Sequence, residues 1–305
     1  MLAFFRLFRL PNLLVVALTQ ILIFYRVLRP SFNRAGIENK LNDEQFFMLL
    51  IATVLVTAGG YVMNDLLDAE TDEINRPGTN PMQQIGRDLG RWTYLALVLI
   101  GFTISFFLAL WLDELHFLWL YPLAVALLAL YSRHIKPIPF AGNLLVGLYC
   151  AAVPAIIGLA ERSALTQLIQ KVPEQGQRSY RILLVFALFA FLATLIRELV
   201  KDMQDINGDQ AVGRRTLPIV WGMAASRWLA LGFSALTLIA LLTPIVLGWP
   251  SFQSTPAAGL VSVLALGLVF ITYRILQGHT PEHYGSVSTL LKIFLLAGLG
   301  LLILL

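Results

Sequence analysis

Nine long apolar stretches dominate this 305-residue chain. A helix needs about 20 mostly apolar residues to cross the hydrocarbon core of a membrane, and stretches of that length do not fit the strands of a membrane barrel. Only helices and closed barrels satisfy every backbone polar group within lipid. The sequence therefore predicts an all-α integral membrane protein with nine spans, at residues 10–28, 45–64, 92–112, 115–131, 140–160, 180–200, 224–247, 256–276 and 287–305.

Composition supports this fold class and argues against several others. Hydrophobic residues make up 58% of the chain and charged residues 13%, whereas soluble domains are about half apolar and about a quarter charged. The single cysteine, Cys150, allows no internal disulfide. The net charge of +4 includes no long run of lysine or arginine, so nucleic acid is not an expected partner. We expect a single domain over residues 1–305, embedded in the lipid bilayer.

The basic residues predict which side of the membrane each loop faces. An odd number of spans places the two termini on opposite sides, and the side of the N-terminus collects thirteen lysines and arginines against eight on the other. The positive-inside rule makes the first side cytoplasmic. The long segments 64–91, 133–139 and 197–227 on that side also carry half of all charged residues. We therefore expect the functional site on the cytoplasmic face of a cell inner membrane.

Two aspartate rows with identical spacing follow the second and sixth predicted spans. The first row comprises Asp65, Asp68 and Asp72, and the second row comprises Asp202, Asp205 and Asp209. At positions i, i+3 and i+7, the carboxylates of each row would stack on one face of a helix that continued through them. Two helix ends on the same face of the membrane are therefore expected to present matching rows of carboxylates.

A magnesium ion bridged to a diphosphate accounts for both rows. Stacked carboxylates repel one another unless a cation holds them together. Mg²⁺ prefers oxygen ligands and commonly binds one or two carboxylates together with substrate phosphates. All six aspartates are therefore candidate metal ligands. The basic residues beside the rows suit phosphate oxygens that the metal leaves free; they are Arg76, Lys136, Lys201, Arg214 and Arg215.

A membrane cation transporter is the alternative from another functional class, because acidic residues also coordinate transported ions. Transporter acids are expected near the middle of the bilayer, on broken helices. These two aspartate rows instead follow helix ends on one face of the membrane. Their position favours an enzyme that binds a diphosphate over a transporter.

The two rows resemble the motifs of the UbiA superfamily of intramembrane prenyltransferases, and the resemblance covers nearly the whole chain. Asn64 and the first row fill the family pattern Asn-Asp-x-x-Asp-x-x-x-Asp, and the second row fills the motif after the sixth helix. The resemblance implies a bundle of nine transmembrane helices with aspartate-rich loops after helices 2 and 6, which transfers a prenyl group from a polyprenyl diphosphate with the help of Mg²⁺. It implies catalytic roles for the six aspartates and Lys136, and substrate-binding roles for Asn64, Arg76, Tyr131, Asn143, Arg197 and Lys201.

The acceptor stays open between two chemical classes. The stretch from Arg197 to Asp209 looks like the branch that contains digeranylgeranylglyceryl phosphate synthases, which implies alkylation of a glycerol-phosphate lipid hydroxyl. Family members that act on aromatic acceptors, such as 4-hydroxybenzoate or a naphthoate, often show Tyr-x-x-x-Lys after the fourth helix. In this chain four residues separate Tyr131 from Lys136. The resemblance slightly favours the lipid hydroxyl over an aromatic quinone precursor.

Overall fold

The computed structural model describes residues 2–75 and 77–305. Within these residues nine helices are long and apolar enough to cross a membrane, and we number them α1 to α9 in chain order. They comprise Leu10–Ala35, Asp43–Leu67, Arg87–Trp111, Leu115–Ile135, Ala141–Ala160, Pro173–Gln204, Gly222–Val246, Thr255–Gln277 and Pro281–Leu304. No strand occurs in the part of the chain that the structure describes. The prediction of an all-α membrane protein with nine spans is confirmed.

The first and sixth spans extend furthest beyond the bounds that the sequence predicts. The first was predicted to end at residue 28, ahead of Pro30, but α1 continues to Ala35. A π-helical turn at Ile23–Leu28 precedes the proline, so the helix resumes with Pro30 in its first turn, where a backbone N–H is not needed. The sixth span begins at Pro173 rather than at residue 180. Its first turns are polar, which is why hydropathy alone does not detect them.

The described residues form two compact units, each built from segments that are separated along the chain. The first unit contains the described part of Met1–Leu18, together with Lys40–Ile138 and Asn207–Arg214; within it α2 packs against α3 and α4. The second unit contains Thr19–Asn39, Pro139–Ile206 and Arg215–Leu305; within it α6 packs against α5, α7 and α9. The first aspartate row therefore lies in the first unit together with the last aspartate of the second row.

Close packing between α3 and α4 depends on the absence of a side chain at Gly101. The phenol of Tyr121 lies against this glycine and donates a hydrogen bond to the Leu97 carbonyl at 3.4 Å. A Cβ at position 101 would overlap the phenol. Glycine is therefore required here for the two helices to approach each other.

We expect Gly101→Ala to lower the free energy of unfolding by about 1–3 kcal/mol, the usual cost of overpacking a close contact. Gly232→Ala on α7 is the matched control, because a Cβ there meets no atom of the described residues within 4 Å. Thermal unfolding of both variants in detergent measures the difference. A melting temperature for Gly101→Ala equal to that of the control would contradict this packing.

Candidate active site

Both aspartate rows interrupt their helices at the second aspartate. α2 and α6 each end directly before this residue, so Asp68 and Asp205 are the C-terminal caps of the two helices. Their backbone angles nearly coincide, with φ and ψ of −90° and 2° at Asp68 and of −93° and 8° at Asp205. A ψ near 0° leaves the helical region, and short helices follow at Ala69–Asn75 and Ile206–Ala211. Neither row therefore lies along one unbroken helix, and the stacking that a continuous helix would give does not occur.

Arg214 joins the two motifs. Its Nη1 donates to the Asp209 carboxylate at 3.0 Å, and its Nη2 donates to the Asp68 carboxylate. Both carboxylates belong to residues that are only 4% exposed. Gly213, with φ of +73°, turns the chain so that the Arg214 N–H donates to the Asp209 carbonyl at 2.8 Å. The first unit therefore brings one aspartate of each motif onto the same guanidinium.

Lys136 binds the Asp68 carboxylate from the end of α4. Its Nζ donates to Asp68 and also to the Asn64 side-chain oxygen at 3.2 Å. A π-helical turn at Tyr131–Ile135 leads to this point, and the Lys136 N–H donates to the Tyr131 carbonyl at 2.9 Å. In a π-helical turn, backbone hydrogen bonds join residues five apart, whereas in an α-helix they join residues four apart. The backbone thus accommodates the extra residue between Tyr131 and Lys136.

Arg9 is a site residue that sequence analysis missed. Its Nη2 donates to the Asp65 carboxylate at 2.6 Å, and its guanidinium lies over the Tyr61 ring, 4.8 Å from the centroid. Arg9 directly precedes α1, with φ of +48°, a conformation that is uncommon for any residue but glycine. The sequence feature that could have indicated Arg9 was its position on the predicted cytoplasmic side, but many other basic residues share that position.

The carboxylates keep both arginines charged. Burial lowers the pKa of Arg214, but the charges of Asp68 and Asp209 outweigh burial and raise this pKa above its ordinary value. Burial also lowers the pKa of Arg9, but the charge of the Asp65 carboxylate outweighs burial and raises this pKa above its ordinary value. Both guanidiniums therefore remain cationic across the physiological pH range.

Two asparagines tie the loop after α2 to the same group of residues. The Asn80 side-chain N–H₂ donates to Asp72 Oδ2 at 2.8 Å and to the Asp65 carbonyl at 3.0 Å. The Asn75 side-chain oxygen accepts a hydrogen bond from the Gly208 N–H at 2.8 Å. The sequence did not single out either residue as part of the site, because asparagine is common in turns.

The other aspartates of the second row lie in the second unit. Asn143, buried on α5, donates to Asp202 Oδ2 at 2.8 Å. This contact makes Asn143 a neighbour of the second motif, and the substrate-binding role that the resemblance implies for it stays a prediction. Lys201 is half-buried on α6, and Asp205 ends that helix.

Arg197 also lies in the second unit, within α6. Its Nη1 donates to the Glu198 carboxylate at 2.7 Å. Glu198 is buried and was not among the predicted site residues. Arg76 was predicted to bind substrate, and it lies outside the described residues.

The carboxylates of the first unit have the donor chemistry of a magnesium site. Asp65, Asp68, Asp72 and Asp209 supply the hard oxygen atoms that Mg²⁺ prefers. Among residues 2–75 and 77–305, no three acids, histidines or cysteines lie close enough together to hold a metal ion on their own. Mg²⁺ commonly uses one or two carboxylates and completes its shell with phosphate and water. These aspartates therefore fit a magnesium ion that arrives with a phosphate ligand, and which of them bind it stays a prediction.

Comparisons with known proteins agree with the fold and with the family that the sequence resembles. A family model described as the UbiA prenyltransferase family matches residues 35–299. A digeranylgeranylglyceryl phosphate synthase of Thermococcus sibiricus is 32% identical over 257 residues, which cover 81% of this chain and 79% of the relative. A solved structure concerned with digeranylgeranylglyceryl phosphate synthase in membranes has a TM-score of 0.66 at 22% identity and covers 99% of this chain and 96% of its own. The structure of a UbiA homologue from Archaeoglobus fulgidus, bound to GPP and Mg²⁺, has a TM-score of 0.56 at 14% identity over 98% of this chain and 99% of that chain.

Proposed function

This chain belongs to the UbiA prenyltransferase family, and we propose that it transfers a geranylgeranyl-type group from its diphosphate to the hydroxyl of a geranylgeranylglyceryl phosphate-type lipid. Prenyl transfer is the activity for which the family is named. The name of the Thermococcus relative supports the choice of acceptor. The resemblance of residues 197–209 to that branch supports the same choice.

The observation that carries the proposal is the bridge from Asp68 through Arg214 to Asp209. It joins two motifs that are 141 positions apart in the chain, counted from Asp68 to Asp209. The bridge concentrates carboxylates and guanidinium N–H donors in one place. Carboxylates suit Mg²⁺, and guanidinium groups suit phosphate oxygens. A magnesium-bound diphosphate requires both kinds of group.

The side chains of this site would bind and orient the donor. The six aspartates of the two rows are the groups that would hold Mg²⁺, which supplies positive charge to the diphosphate as its bond to the prenyl carbon breaks. Lys136 and Arg214 carry positive charge beside Asp68 and offer further N–H donors to phosphate oxygens. The remaining substrate-binding residues we propose are Asn64, Arg76, Tyr131, Asn143, Arg197 and Lys201. The apolar helices exclude water, which would otherwise capture the allylic cation.

We infer that the site faces the cytoplasm from the inner membrane. The excess of basic residues on the side of the aspartate rows supports this orientation. We also propose that residues 1–305 act as one domain. The interleaved segments of the two compact units support this, because neither unit is a continuous piece of the chain.

An aromatic acceptor is the alternative within the family. Four residues separate Tyr131 from Lys136, one more than in the Tyr-x-x-x-Lys pattern. The π-helical turn at Tyr131–Ile135 accommodates the extra residue, so this spacing is weak evidence against an aromatic acceptor. A cation transporter is less well supported, because Asp68 and Asp205 lie at the ends of their spanning helices, whereas transporter acids are expected near the middle of the bilayer.

The detergent-purified protein tests the proposal when labelled geranylgeranyl diphosphate is offered with geranylgeranylglyceryl phosphate and with 4-hydroxybenzoate in parallel. We expect an ether product from the first acceptor only, and no product after Mg²⁺ is removed with EDTA. Product from 4-hydroxybenzoate alone would replace the proposed acceptor by the aromatic class. Product that is insensitive to EDTA would contradict the role of magnesium.

A further inference from the structure

A stripe of polar side chains runs from Asp202 into the membrane along α6. Thr194, Glu198 and Asp202 are spaced four residues apart and therefore share one face of the helix. Thr194 and Glu198 are almost fully buried, at 3% and 7% exposure. At a rise of about 1.5 Å per residue, Glu198 lies roughly 6 Å deeper than Asp202 along the helix.

This face of α6 is turned toward α5. Asn143 of α5 binds Asp202 at the outer end of the stripe. Glu198 lies about one helical turn from this contact along α6, and its carboxylate accepts a hydrogen bond from Arg197 at 2.7 Å.

A buried acid in a membrane span is costly and therefore suggests a functional role. Ether formation needs such a group. The acceptor hydroxyl oxygen forms a bond to C1 of the prenyl group, while the C1–O bond of the donor breaks and its electron pair leaves with the diphosphate. The hydroxyl proton must then be taken up by a base. The aspartate rows are assigned to the diphosphate, and Glu198 lies about one helical turn from Asp202 along α6, farther into the span.

We propose that Glu198 is the base that accepts the proton of the acceptor hydroxyl. The proton moves to a carboxylate oxygen of Glu198, which becomes a neutral carboxylic acid beside Arg197 and later releases the proton to water. The inference rests on the proposed function, because it requires an alcohol as the acceptor. It assigns to this chain a catalytic group that lies outside both aspartate rows.

Glu198→Gln in the full-length, detergent-purified protein tests the role of the carboxylate. We expect kcat for ether formation to fall roughly a hundredfold or more, the usual effect of losing a general base. Binding of the non-cleavable geranylgeranyl thiolodiphosphate with Mg²⁺, measured by calorimetry, should change by less than about twofold, because the aspartate rows are intact. Glu198→Asp should recover part of kcat. Glu174→Gln, an exposed acid at the start of α6, is the matched control and should keep full activity.

The outcomes separate this inference from the proposed function. Ether formation at the same rate by the wild-type protein and by Glu198→Gln would overturn the role of Glu198 alone and leave the diphosphate as the base. Equal losses of donor binding and kcat would also overturn it, since Glu198 would then support the site structurally. If Glu198→Gln does not fold, the same comparison is made with Glu198→Asp, for which reduced kcat with intact donor binding is expected. No ether from the wild-type protein, despite donor binding, would overturn the proposed function and this inference together.

Discussion

Replacement of Asp68 by asparagine is expected to lower prenyl transfer roughly a thousandfold or more, because it removes charge from the place where metal and diphosphate are proposed to meet. Asp68 is the residue on which Lys136 and Arg214 converge. An asparagine keeps the shape of the side chain but cannot neutralise two cations. The same substitution therefore loses a candidate metal ligand and disturbs the two basic side chains that we assign to phosphate.

The measurement is kcat/KM for ether formation by Asp68→Asn at saturating Mg²⁺, with the melting temperature recorded on the same sample. Asp88→Asn is the matched control, because the Asp88 side chain is 88% exposed and makes a surface ion pair with Arg91. We expect the control to be close to wild type, since exposed pairs contribute little. Wild-type activity in a folded Asp68→Asn protein would remove Asp68 from the site.

Replacement of Arg214 by lysine is expected to lower kcat/KM roughly a hundredfold, although the charge is kept. The guanidinium donates to Asp68 through one nitrogen and to Asp209 through another. A lysine ammonium is a compact point charge that lacks this planar fork. The bridge between the motifs should therefore be lost, and with it the alignment of one aspartate from each row.

Arg91→Lys makes the same chemical change at an arginine whose side chain is 67% exposed, and it serves as the control. Steady-state rates and donor binding are measured for both variants. A large loss in Arg214→Lys with little change in Arg91→Lys is the expected result. Equal activity of the two variants would mean that the bridge has no part in catalysis.

Much of the fold follows from hydropathy, because each span needs its own run of apolar residues whatever its neighbours are. The nine helices were predicted in order for this reason. The C-terminal end of α1 and the N-terminal end of α6 were not predicted. The π-helical turn ahead of Pro30 and the polar first turns after Pro173 cannot be recognised from hydropathy. The aspartate rows were found through their spacing, but their helix breaks were not predicted. Nothing in an i, i+3, i+7 pattern shows that the chain leaves the helix at Asp68 and Asp205.

The ion pairs of the site were the hardest part to predict. Asp65 is paired with Arg9 and Asp68 with Arg214, across 56 and 146 residues of chain. Such pairs depend on how the helices pack, which one sequence does not reveal. Lys136 was predicted to lie beside the aspartate rows, and its Nζ contacts Asp68; its catalytic role stays a prediction. Glu198 was not predicted, because it belongs to neither aspartate row.

The most direct test of the central claim is Mg²⁺-dependent binding of geranylgeranyl thiolodiphosphate to the wild-type protein, to Asp68→Asn and to Asp209→Asn. If aspartates from both motifs hold one magnesium-bound diphosphate, EDTA should abolish binding to the wild-type protein. Each substitution should then weaken binding by about tenfold or more, since each removes a charged ligand from the shared site. Binding that is independent of Mg²⁺, or that is unchanged in both variants, would contradict a diphosphate site built from the two motifs.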